Sequence, residues 1–294
     1  MKYLVLGATG TVGSQVVREL LARGHQVRVL TRNPEKATAL GAGVEAMKGD
    51  LLDPKTLATL YTGVDGAFLL NGVGVSESQE GLMAVTAARE ARLKRLVYMS
   101  VQHADRAAHL PHFGSKVGIE AAIKQSGIPF TILRPSNFFQ NDYWFRDVML
   151  QYGAYPQPFG NVGVSRVDVR DIAEAAAIAL TQPGHDGRTY DLVGPRPLKA
   201  AETAELWGKA LGKPVAYLGD DLDKWEKASA AYYVPAVLYD FKHMYAHFQQ
   251  HGLAATPEEV ATLTKLLGHA PRSFEAFVTE TARTWNEQAA TAKS

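Results

Sequence analysis

The residues with the clearest chemical meaning form the glycine-rich string GATGTVG at residues 7–13, directly after the apolar segment Tyr3 to Leu6. Where a strand leads through a GxxGxxG turn into a helix, backbone amides at the helix N-terminus bind the pyrophosphate of a dinucleotide. An amphipathic stretch from Val16 to Leu21 and an apolar segment from Gln26 to Leu30 supply the helix and the next strand. A surface turn is the alternative for the glycines alone, but their context predicts a dinucleotide site.

The residues after the second strand indicate which dinucleotide is bound. About twenty residues beyond such glycines, an Asp or Glu is expected to accept the ribose 2′-hydroxyl of NAD. Here the chain has Thr31-Arg32-Asn33-Pro34 instead. A guanidinium at this place can hold a 2′-phosphate through charge-assisted hydrogen bonds, whereas an acid would repel it. The sequence therefore favours NADP(H) as the cofactor, and the alternative is a solvated arginine at a helix start.

A later string, PHFGSK at residues 111–116, contains two side chains that can move protons. If a helix begins here, His112 and Lys116 lie one turn apart on one face. Histidine titrates near neutral pH, and both residue types serve as general acids in enzymes. The alternatives are a helix-start or surface histidine at 112 and a lysine at 116 that only holds a ribose.

Composition excludes several function classes. The 294 residues carry a formal net charge of +1 with interspersed signs, so no basic stripe indicates a nucleic acid partner. Cysteine is absent, which excludes disulfides and thiol chemistry. His103 and His109 have no neighbouring acid cluster, so no metal is expected. Because no apolar run reaches the roughly 18 residues of a membrane span and no secretory segment precedes the first strand, we expect a cytoplasmic protein without a membrane partner.

Short apolar segments alternate with helical patterns through the first half, and 46% apolar residues are enough for a large core. Helices are predicted to open at Asp53-Pro54 and to run from Phe113 to Gln125. The pattern predicts an α/β fold, a Rossmann-type doubly wound parallel sheet with a smaller, mostly helical domain. The predicted strands are Lys2 to Leu6, Gln26 to Leu30, Val44 to Lys48, Ala67 to Leu70, Arg95 to Met99, Phe130 to Leu133 and Arg188 to Val193.

The same pattern predicts two domains that are each assembled from separate stretches. Residues 1–135 and 164–195 are expected to form the NADP-binding Rossmann domain, and residues 136–163 and 196–294 the smaller domain, to which the family resemblance described next assigns substrate binding. A capping box at Thr256 to Glu259 predicts a helix start in the second. Residues 289–294 are expected to be a frayed end.

The order of five motifs is similar to that of the NmrA-like branch of the atypical short-chain dehydrogenase/reductase superfamily, over nearly the whole chain. The resemblance implies a Rossmann domain joined to a substrate domain. Members include NAD(P)H-dependent quinone, dye and isoflavone-type reductases, and also non-catalytic proteins that sense the nucleotide and bind regulators. The motifs are GATGTVG at residues 7–13, LTRNPEKA at 30–37, GDLLD at 49–53, SGIPFTILRPSNF at 126–138 and VDVRDIAEAA at 167–176.

The resemblance also assigns cofactor contacts. It implies that Arg32 binds the 2′-phosphate, that Asp50 and Leu51 flank adenine, and that Asn71 and Gly72 border the nicotinamide ribose. An ordinary turn acid at Asp50 and a plain turn at Asn71-Gly72 are the alternatives. Around the pyrophosphate it places Gly7, Thr9, Gly10, Thr11, Val12 and Gly13.

The catalytic residues of the wider superfamily are only partly present. Ordinary short-chain dehydrogenases use a tyrosine four residues before a lysine, and here that position is His112. Ser100 is the one obvious survivor of the serine site after the fifth strand. The segment from Phe113 to Lys116 also resembles that of isoflavone-type reductases, in which a lysine is the acid/base group. The resemblance therefore implies Lys116 as the catalytic residue, assisted by His112, with Ser100 and Lys116 also near the cofactor.

Two functions are compatible with these residues. The first is an NADPH-dependent reductase of a quinone-like or aromatic acceptor, bound among the aromatic residues after Asn137 and Trp225, Tyr232 and Tyr233. Those aromatic residues are alternatively plain core. The second is a non-catalytic NADP(H)-sensing regulator that binds a protein partner, which the missing tyrosine favours.

Overall fold

The computed structural model describes residues 1–291, with side chains described as far as residue 288. The chain divides into two compact units. Unit 1 comprises Met1–Pro135, Val169–Leu192 and Lys265–Gly268, and unit 2 comprises Ser136–Asp168, Val193–Thr264 and His269–Ser294. Of the end predicted to be frayed, residues 289–291 have helical backbone and residues 292–294 lie outside the described part.

The predicted parallel sheet is confirmed. In unit 1, seven strands pair in the order β3-β2-β1-β4-β5-β6-β8, and every pairing is parallel. Predicted and observed strand ends differ by at most two residues. The described strands are β1 (Lys2–Val5), β2 (Gln26–Thr31), β3 (Val44–Lys48), β4 (Gly66–Leu69), β5 (Leu96–Met99), β6 (Phe130–Pro135), β7 (Ala154–Tyr155), β8 (Arg188–Leu192) and β9 (Ala216–Tyr217).

Helices connect the strands in the alternation that a doubly wound sheet requires. The helices of the described residues are α1 (Thr11–Ala22), α2 (Glu35–Thr38), α3 (Pro54–Leu57), α4 (Glu77–Glu90), α5 (Pro111–Gln125), α6 (Arg146–Tyr152), α7 (Val169–Thr181), α8 (Ala200–Leu211), α9 (Leu222–Ser229), α10 (Pro235–His251), α11 (Pro257–Leu267) and α12 (Phe274–Thr291). None of them is both long and apolar enough to cross a membrane.

Local sequence explains where several helices begin. The Asp53 side chain accepts a hydrogen bond from the Lys55 amide, so α3 has the predicted acidic N-cap. At the start of α11, the Thr256 amide donates to the Glu259 carboxylate (2.8 Å) and the Glu259 amide donates to the Thr256 hydroxyl (3.2 Å). These reciprocal bonds confirm the predicted capping box.

The core of unit 1 lies between the central strands and the helices that cover them. Leu4, Leu69, Leu96 and Ile132 are fully buried in it. Helices α4 and α5 approach each other closely because Gly81 has no side chain. A Cβ built there would lie 2.3 Å from the Cδ1 atom of Ile119. This contact fixes the two helices at short range, which matters for the charged residues they carry.

Unit 2 contains a short parallel pair that the sequence did not predict. Ala154 pairs with Ala216 and Tyr155 with Tyr217, forming β7 and β9. Both strands lie outside the predicted strands, in the part of the chain that is expected to be mostly helical. Two-residue strands are too short to produce a recognisable alternation.

A buried ion pair organises the interior of unit 2. Arg166 and Asp142 are both fully buried, and the guanidinium donates to both carboxylate oxygens at 2.8 and 3.1 Å. The same carboxylate accepts hydrogen bonds from Trp207 (2.7 Å), Tyr155 (3.0 Å) and Gln157 (2.6 Å). Because the donors come from three separate stretches, at residues 155–157, at Arg166 and in α8, one carboxylate holds these parts of the unit together.

We expect Arg166→Met to lower the free energy of unfolding of unit 2 by about 3–5 kcal/mol, because it leaves the Asp142 charge buried without its partner. The measurement is urea unfolding followed by tryptophan fluorescence, since Trp144, Trp207, Trp225 and Trp285 all belong to unit 2. The exposed Arg283→Met is the matched control and should change stability by less than about 0.5 kcal/mol. Equal effects of the two substitutions would contradict the prediction.

Candidate functional site

The turn between β1 and α1 is held by two glycines. Gly7 has φ +70°, a left-handed conformation that favours glycine, and its carbonyl accepts a hydrogen bond from the Gly10 amide (3.0 Å). A Cβ built on Gly13 would lie 2.3 Å from that same carbonyl oxygen. Any side chain at Gly13 would therefore push the helix away from the strand, so both glycines are required by the backbone itself.

The N-terminus of α1 provides hydrogen-bond donors for an anion. The helix begins at Thr11, and its N-cap residue, Gly10, has no side chain that could cap the first amides. Uncapped amides and the positive end of the helix dipole favour a phosphate at this place. Val12 is buried, so its contribution to a ligand is limited to its backbone. The arrangement fits a dinucleotide pyrophosphate.

A cavity of about 290 Å³ opens at the carboxyl ends of β1 to β4. This edge of a parallel sheet is where nucleotides bind in open α/β folds. Of the predicted cofactor residues, those that line the cavity are Gly7, Thr9, Arg32, Asp50, Leu51 and Gly72. Gly10 and Asn71 are adjacent in the chain to lining residues, and Thr11, Val12 and Gly13 follow within four residues of Thr9. Ser100, His112 and Lys116 do not line the cavity.

Two exposed cations lie at one end of the cavity. Arg32 was predicted, and Lys36 of α2 also lines the cavity but was missed. Neither has an ion-pair partner among residues 1–288. The turn that carries them is ordered by a hydrogen bond from the Asn33 amide to the Thr31 hydroxyl (3.1 Å). Two cations that no carboxylate of the described residues pairs with suit an anionic group such as a phosphate.

Asp50 is a turn acid that also lines the cavity. One carboxylate oxygen accepts a hydrogen bond from the Leu52 amide (2.9 Å), as a turn acid does. Asp50 also lines the cavity, and its other oxygen is available to a ligand. Leu51, 9% exposed, lies next to it and can cover the face of a flat ring.

At the other side of the cavity, Asn71 is held by a carboxylate that was not predicted. Its Nδ2 atom lies 3.4 Å from Glu80, which lines the cavity and also accepts a hydrogen bond from Ser76 (2.7 Å). The Oδ1 atom of Asn71 is buried and has no hydrogen-bond partner in the described part of the chain. A buried acceptor without a donor is a place where a ligand hydroxyl or amine would be stabilised.

Lys116 is buried and paired with an acid from another helix. Its Nζ atom lies 2.7 Å from the Oε1 atom of Glu77, and the two side chains are 5% and 0% exposed. The Tyr98 ring centroid lies 6.0 Å from the same Nζ atom. The sequence predicted the lysine but neither of its neighbours, because the three residues come from α5, α4 and β5, and no short spacing connects them.

His112 lies in the first turn of α5, four residues before Lys116, as a helix at this place requires. The helix begins at Pro111, two residues earlier than predicted. The imidazole is buried, 7% exposed, and packs edge-on against the Phe113 ring with centroids 4.7 Å apart. This burial argues against the surface-histidine alternative.

Ser100 is engaged in a buried network. Its hydroxyl donates to the Oε1 atom of Glu120 (2.6 Å), and Arg134 donates to both oxygens of that carboxylate at 2.8 Å. Arg134 also donates to Asp105 (3.1 Å), which lies in the loop after β5. Since the serine proton is already bonded within the protein, Ser100 fits the support of this loop better than direct contact with a ligand.

The aromatic residues predicted to line a substrate pocket divide into two groups within unit 2. Phe139 is fully buried and packs against Phe274 and Phe277, with ring centroids 5.1 and 5.4 Å apart, so it is core. Trp144 and Tyr232 are 62% and 82% exposed. The exposed group is the part that remains available to a flat molecule.

Comparison with known proteins gives consistent matches over nearly the whole chain. The model of the NmrA-like family matches residues 1–278. An NAD(P)H azoreductase of Xenophilus azovorans is 33% identical over 277 residues, which cover 93% of this chain and 96% of that protein.

Two solved structures with bound nucleotide have the same fold. The NADPH-dependent quinone oxidoreductase of Escherichia coli, complexed with NADPH, matches with a TM-score of 0.84 and 25% identity over 95% of this chain and 99% of the other. The triphenylmethane reductase of Citrobacter sp., complexed with NADP(H), matches with a TM-score of 0.81 and 26% identity over 96% of this chain and the whole of the other.

The Glu120 network predicts a specific loss of stability in acid. Burial of this carboxyl opposes its ionisation, but hydrogen bonds from Arg134 and Ser100 outweigh the burial and lower its pKa. The stabilisation is therefore complete above the unfolded-state pKa of about 4.3 and is lost as the pH falls through the lower folded-state value.

We expect the thermal midpoint of the wild type to fall more steeply between about pH 5 and pH 3 than that of Glu120→Gln. Glu120→Gln should be the less stable protein at pH 7. Glu90→Gln, at an exposed glutamate of α4, is the control and should follow the wild-type profile. Parallel profiles for all three proteins would show that Glu120 does not contribute to the acid sensitivity.

Proposed function

The chain belongs to the NmrA-like family, and from that premise we propose that it is an NADPH-dependent oxidoreductase that reduces a quinone-like or aromatic acceptor by hydride transfer. The observation that carries the proposal is the cavity at the carboxyl edge of β1 to β4, which has an uncapped helix N-terminus and two cations without acidic partners. Relatives named as an azoreductase, a quinone oxidoreductase and a triphenylmethane reductase support the reaction class.

Different residues of unit 1 would bind different parts of the cofactor. The first amides of α1 would hold the pyrophosphate, and the guanidinium of Arg32 with the ammonium of Lys36 would hold the 2′-phosphate. Asp50 would accept a hydrogen bond from the exocyclic amine of adenine, with Leu51 against the ring. Asn71 and Gly72 would border the nicotinamide ribose, with the Glu80 carboxylate holding Asn71 in place.

When bound, NADPH supplies the hydride, which is the difficult part of the chemistry. What the chain must add is a proton for acceptors whose reduced form is an anion. Lys116 is the proton donor in this proposal, and His112, one turn earlier in the same helix, assists it. The absence of the superfamily tyrosine at position 112 is then tolerable, because hydride transfer to a quinone or a dye needs little acid/base catalysis.

For the cofactor, we expect Arg32→Asp to weaken NADPH binding by about 1–3 kcal/mol and to leave NADH binding unchanged, because only NADPH carries the 2′-phosphate. Lys36→Ala should cause a smaller loss in the same direction. The measurement is titration of purified protein with each nucleotide, followed by nucleotide fluorescence. The matched control is Arg18→Ala on the exposed face of α1, outside the cavity lining. Equal losses for NADPH and NADH would show that Arg32 does not contact the phosphate.

For catalysis, we expect Lys116→Met to lower the turnover of a quinone by about 10²- to 10⁴-fold while NADPH affinity changes by only a few-fold. Turnover is followed by loss of the near-ultraviolet absorbance of NADPH across a panel of quinones, dyes and enones. If affinity falls and turnover at saturation does not, Lys116 holds the ribose and does not donate the proton. Wild-type protein that binds NADPH but oxidises it with no member of the panel would contradict the reductase proposal itself.

The second candidate is a nucleotide-sensing regulator, which the histidine in place of tyrosine at position 112 favours. Such a protein would bind NADP(H) through the same residues and contact a protein partner. A set of captured partners that differs between NADP⁺ and NADPH would support it. Steady turnover that Lys116→Met abolishes would argue against it.

A further inference from the structure

We propose that Glu77 is the positioning residue of Lys116, and that its carboxylate fixes the lysine ammonium for proton delivery to the reduced acceptor. The inference rests on the proposed function, because it assigns a second residue to the same proton transfer. Neither the glycine motif nor the HxxxK spacing indicates Glu77, which lies 39 residues before Lys116 in the chain.

The first support is the geometry of the pair. The Nζ–Oε1 distance of 2.7 Å is that of a charge-assisted hydrogen bond, and the carboxylate side chain has no exposed surface. Glu77 is the first residue of α4, where the positive end of the helix dipole stabilises a negative charge. The protein therefore places a fixed anion beside Lys116 and away from bulk water.

The second support is that the helices are built to bring these residues together. The close approach at Gly81 and Ile119 lies one turn beyond Glu77 in α4 and three residues beyond Lys116 in α5. A side chain at Gly81 would push the helices apart and lengthen the ion pair. The ion pair and the glycine contact thus form one interhelical arrangement.

The third support is the number of donors that stay available. An ammonium has three N–H groups, and among the described residues Glu77 is the one hydrogen-bond acceptor of Lys116. Two N–H groups remain to bind a ligand oxygen. A single carboxylate can thus orient the ammonium while leaving two of its N–H groups for a ligand.

The neighbouring tyrosine does not replace the one missing from position 112. Tyr98 is fully buried, and its hydroxyl has no hydrogen-bond partner in the described part of the chain. Burial first, and then the carboxylates of Glu77 and Glu120, raise the pKa of Tyr98 well above its ordinary value. The ring lies beside the ammonium as an apolar and weakly attractive surface, so the proton donor is the lysine.

The chemistry of two acceptors separates proton delivery from hydride transfer. A quinone that gains a hydride becomes a hydroquinone monoanion. This anion takes a proton from the Lys116 ammonium, and the neutral amine then regains a proton from water. A triarylmethane cation that gains a hydride becomes a neutral molecule, and no proton is consumed. A residue that positions the proton donor should therefore affect the quinone and leave the cationic dye nearly unaffected.

The experiment compares the wild type with Glu77→Gln, Glu77→Asp, Lys116→Met and the double variant Glu77→Gln/Lys116→Met, using both acceptors. We expect Glu77→Gln to lower kcat for the quinone by about 10- to 100-fold, with the dye rate, the quinone KM and the NADPH affinity each within about twofold. Glu77→Asp should restore part of the quinone rate. In the Lys116→Met background, Glu77→Gln should cause no further loss of the quinone rate, because the two residues act as a unit. Glu90→Gln, on the exposed end of α4, is the control without effect.

A second readout is independent of turnover. In NADPH-free protein, a ¹H–¹⁵N spectrum of lysine side chains should contain one ammonium resonance protected from exchange, absent in Lys116→Met and lost in Glu77→Gln. The double variant carries neither buried charge. It is therefore the control for misfolding of a single variant, in which one charge is buried without its partner. Equal loss of quinone and dye rates in a folded Glu77→Gln protein, or an unchanged quinone rate, would overturn the inference while leaving the reductase function in place. No turnover by the wild type with either acceptor would instead overturn the proposed function.

Discussion

The close contact of α1 with β1 is the constraint on which the rest of unit 1 depends. Because Gly13 has no side chain, the helix starts directly above the Gly7 carbonyl, where a Cβ would be only 2.3 Å away. The helix N-terminus is thereby aimed at the carboxyl edge of the sheet, at the strand that lies between β2 and β4. The turns after all four strands β1 to β4 then border one cavity, so a glycine pair six residues apart determines where an anion can bind.

Three buried carboxylates have different partners and different roles in this fold. Asp142 collects donors from several segments of unit 2, Glu120 ties Arg134 to the loop after β5, and Glu77 pairs with a lysine across two helices. Buried ion pairs add little net stability compared with apolar residues of equal volume, but losing one partner is costly. We therefore interpret them as positioning elements. Of the three, Glu77–Lys116 is the pair whose cation retains open donors, which is why it fits chemistry as well as structure.

Sequence predicted the features that depend on neighbouring residues. Strand positions, the glycine turn, the N-cap at Asp53 and the capping box at Thr256 each follow from local spacing, and the structure confirms them. Lys36 was missed because a lysine in a short helix has no distinguishing pattern, although it lies one turn after Arg32. Contacts between residues far apart in the chain, such as Glu77 with Lys116, produce no local sequence pattern and were not predicted.

Ser100 is a residue that the sequence identified but whose role it could not predict. Its position after β5 suggested contact with a ligand, yet whether a serine faces a ligand or a carboxylate depends on Glu120, twenty residues further along. The acid in turn depends on Arg134 from the next strand. Sequence spacing can therefore identify a residue type at a sheet edge, but its partner decides its role, and that partner is fixed only when α5 packs beside β5 and β6.

The exposed cations Arg32 and Lys36 and the buried cation Lys116 differ in how far solvent screens their charge, and this difference bears on the proposed catalysis. Arg32 and Lys36 are exposed, so solvent screens their charges, and they suit the recognition of a phosphate that remains partly hydrated. Lys116 is buried with a single acid, so its charge is held in place with little screening. A fixed, desolvated ammonium can stabilise negative charge that develops during a reaction. Recognition of the nucleotide alone does not require one. The contrast supports turnover over mere sensing, because a protein that only senses the nucleotide would have no need for a buried ammonium whose remaining N–H groups have no acceptor among the described residues.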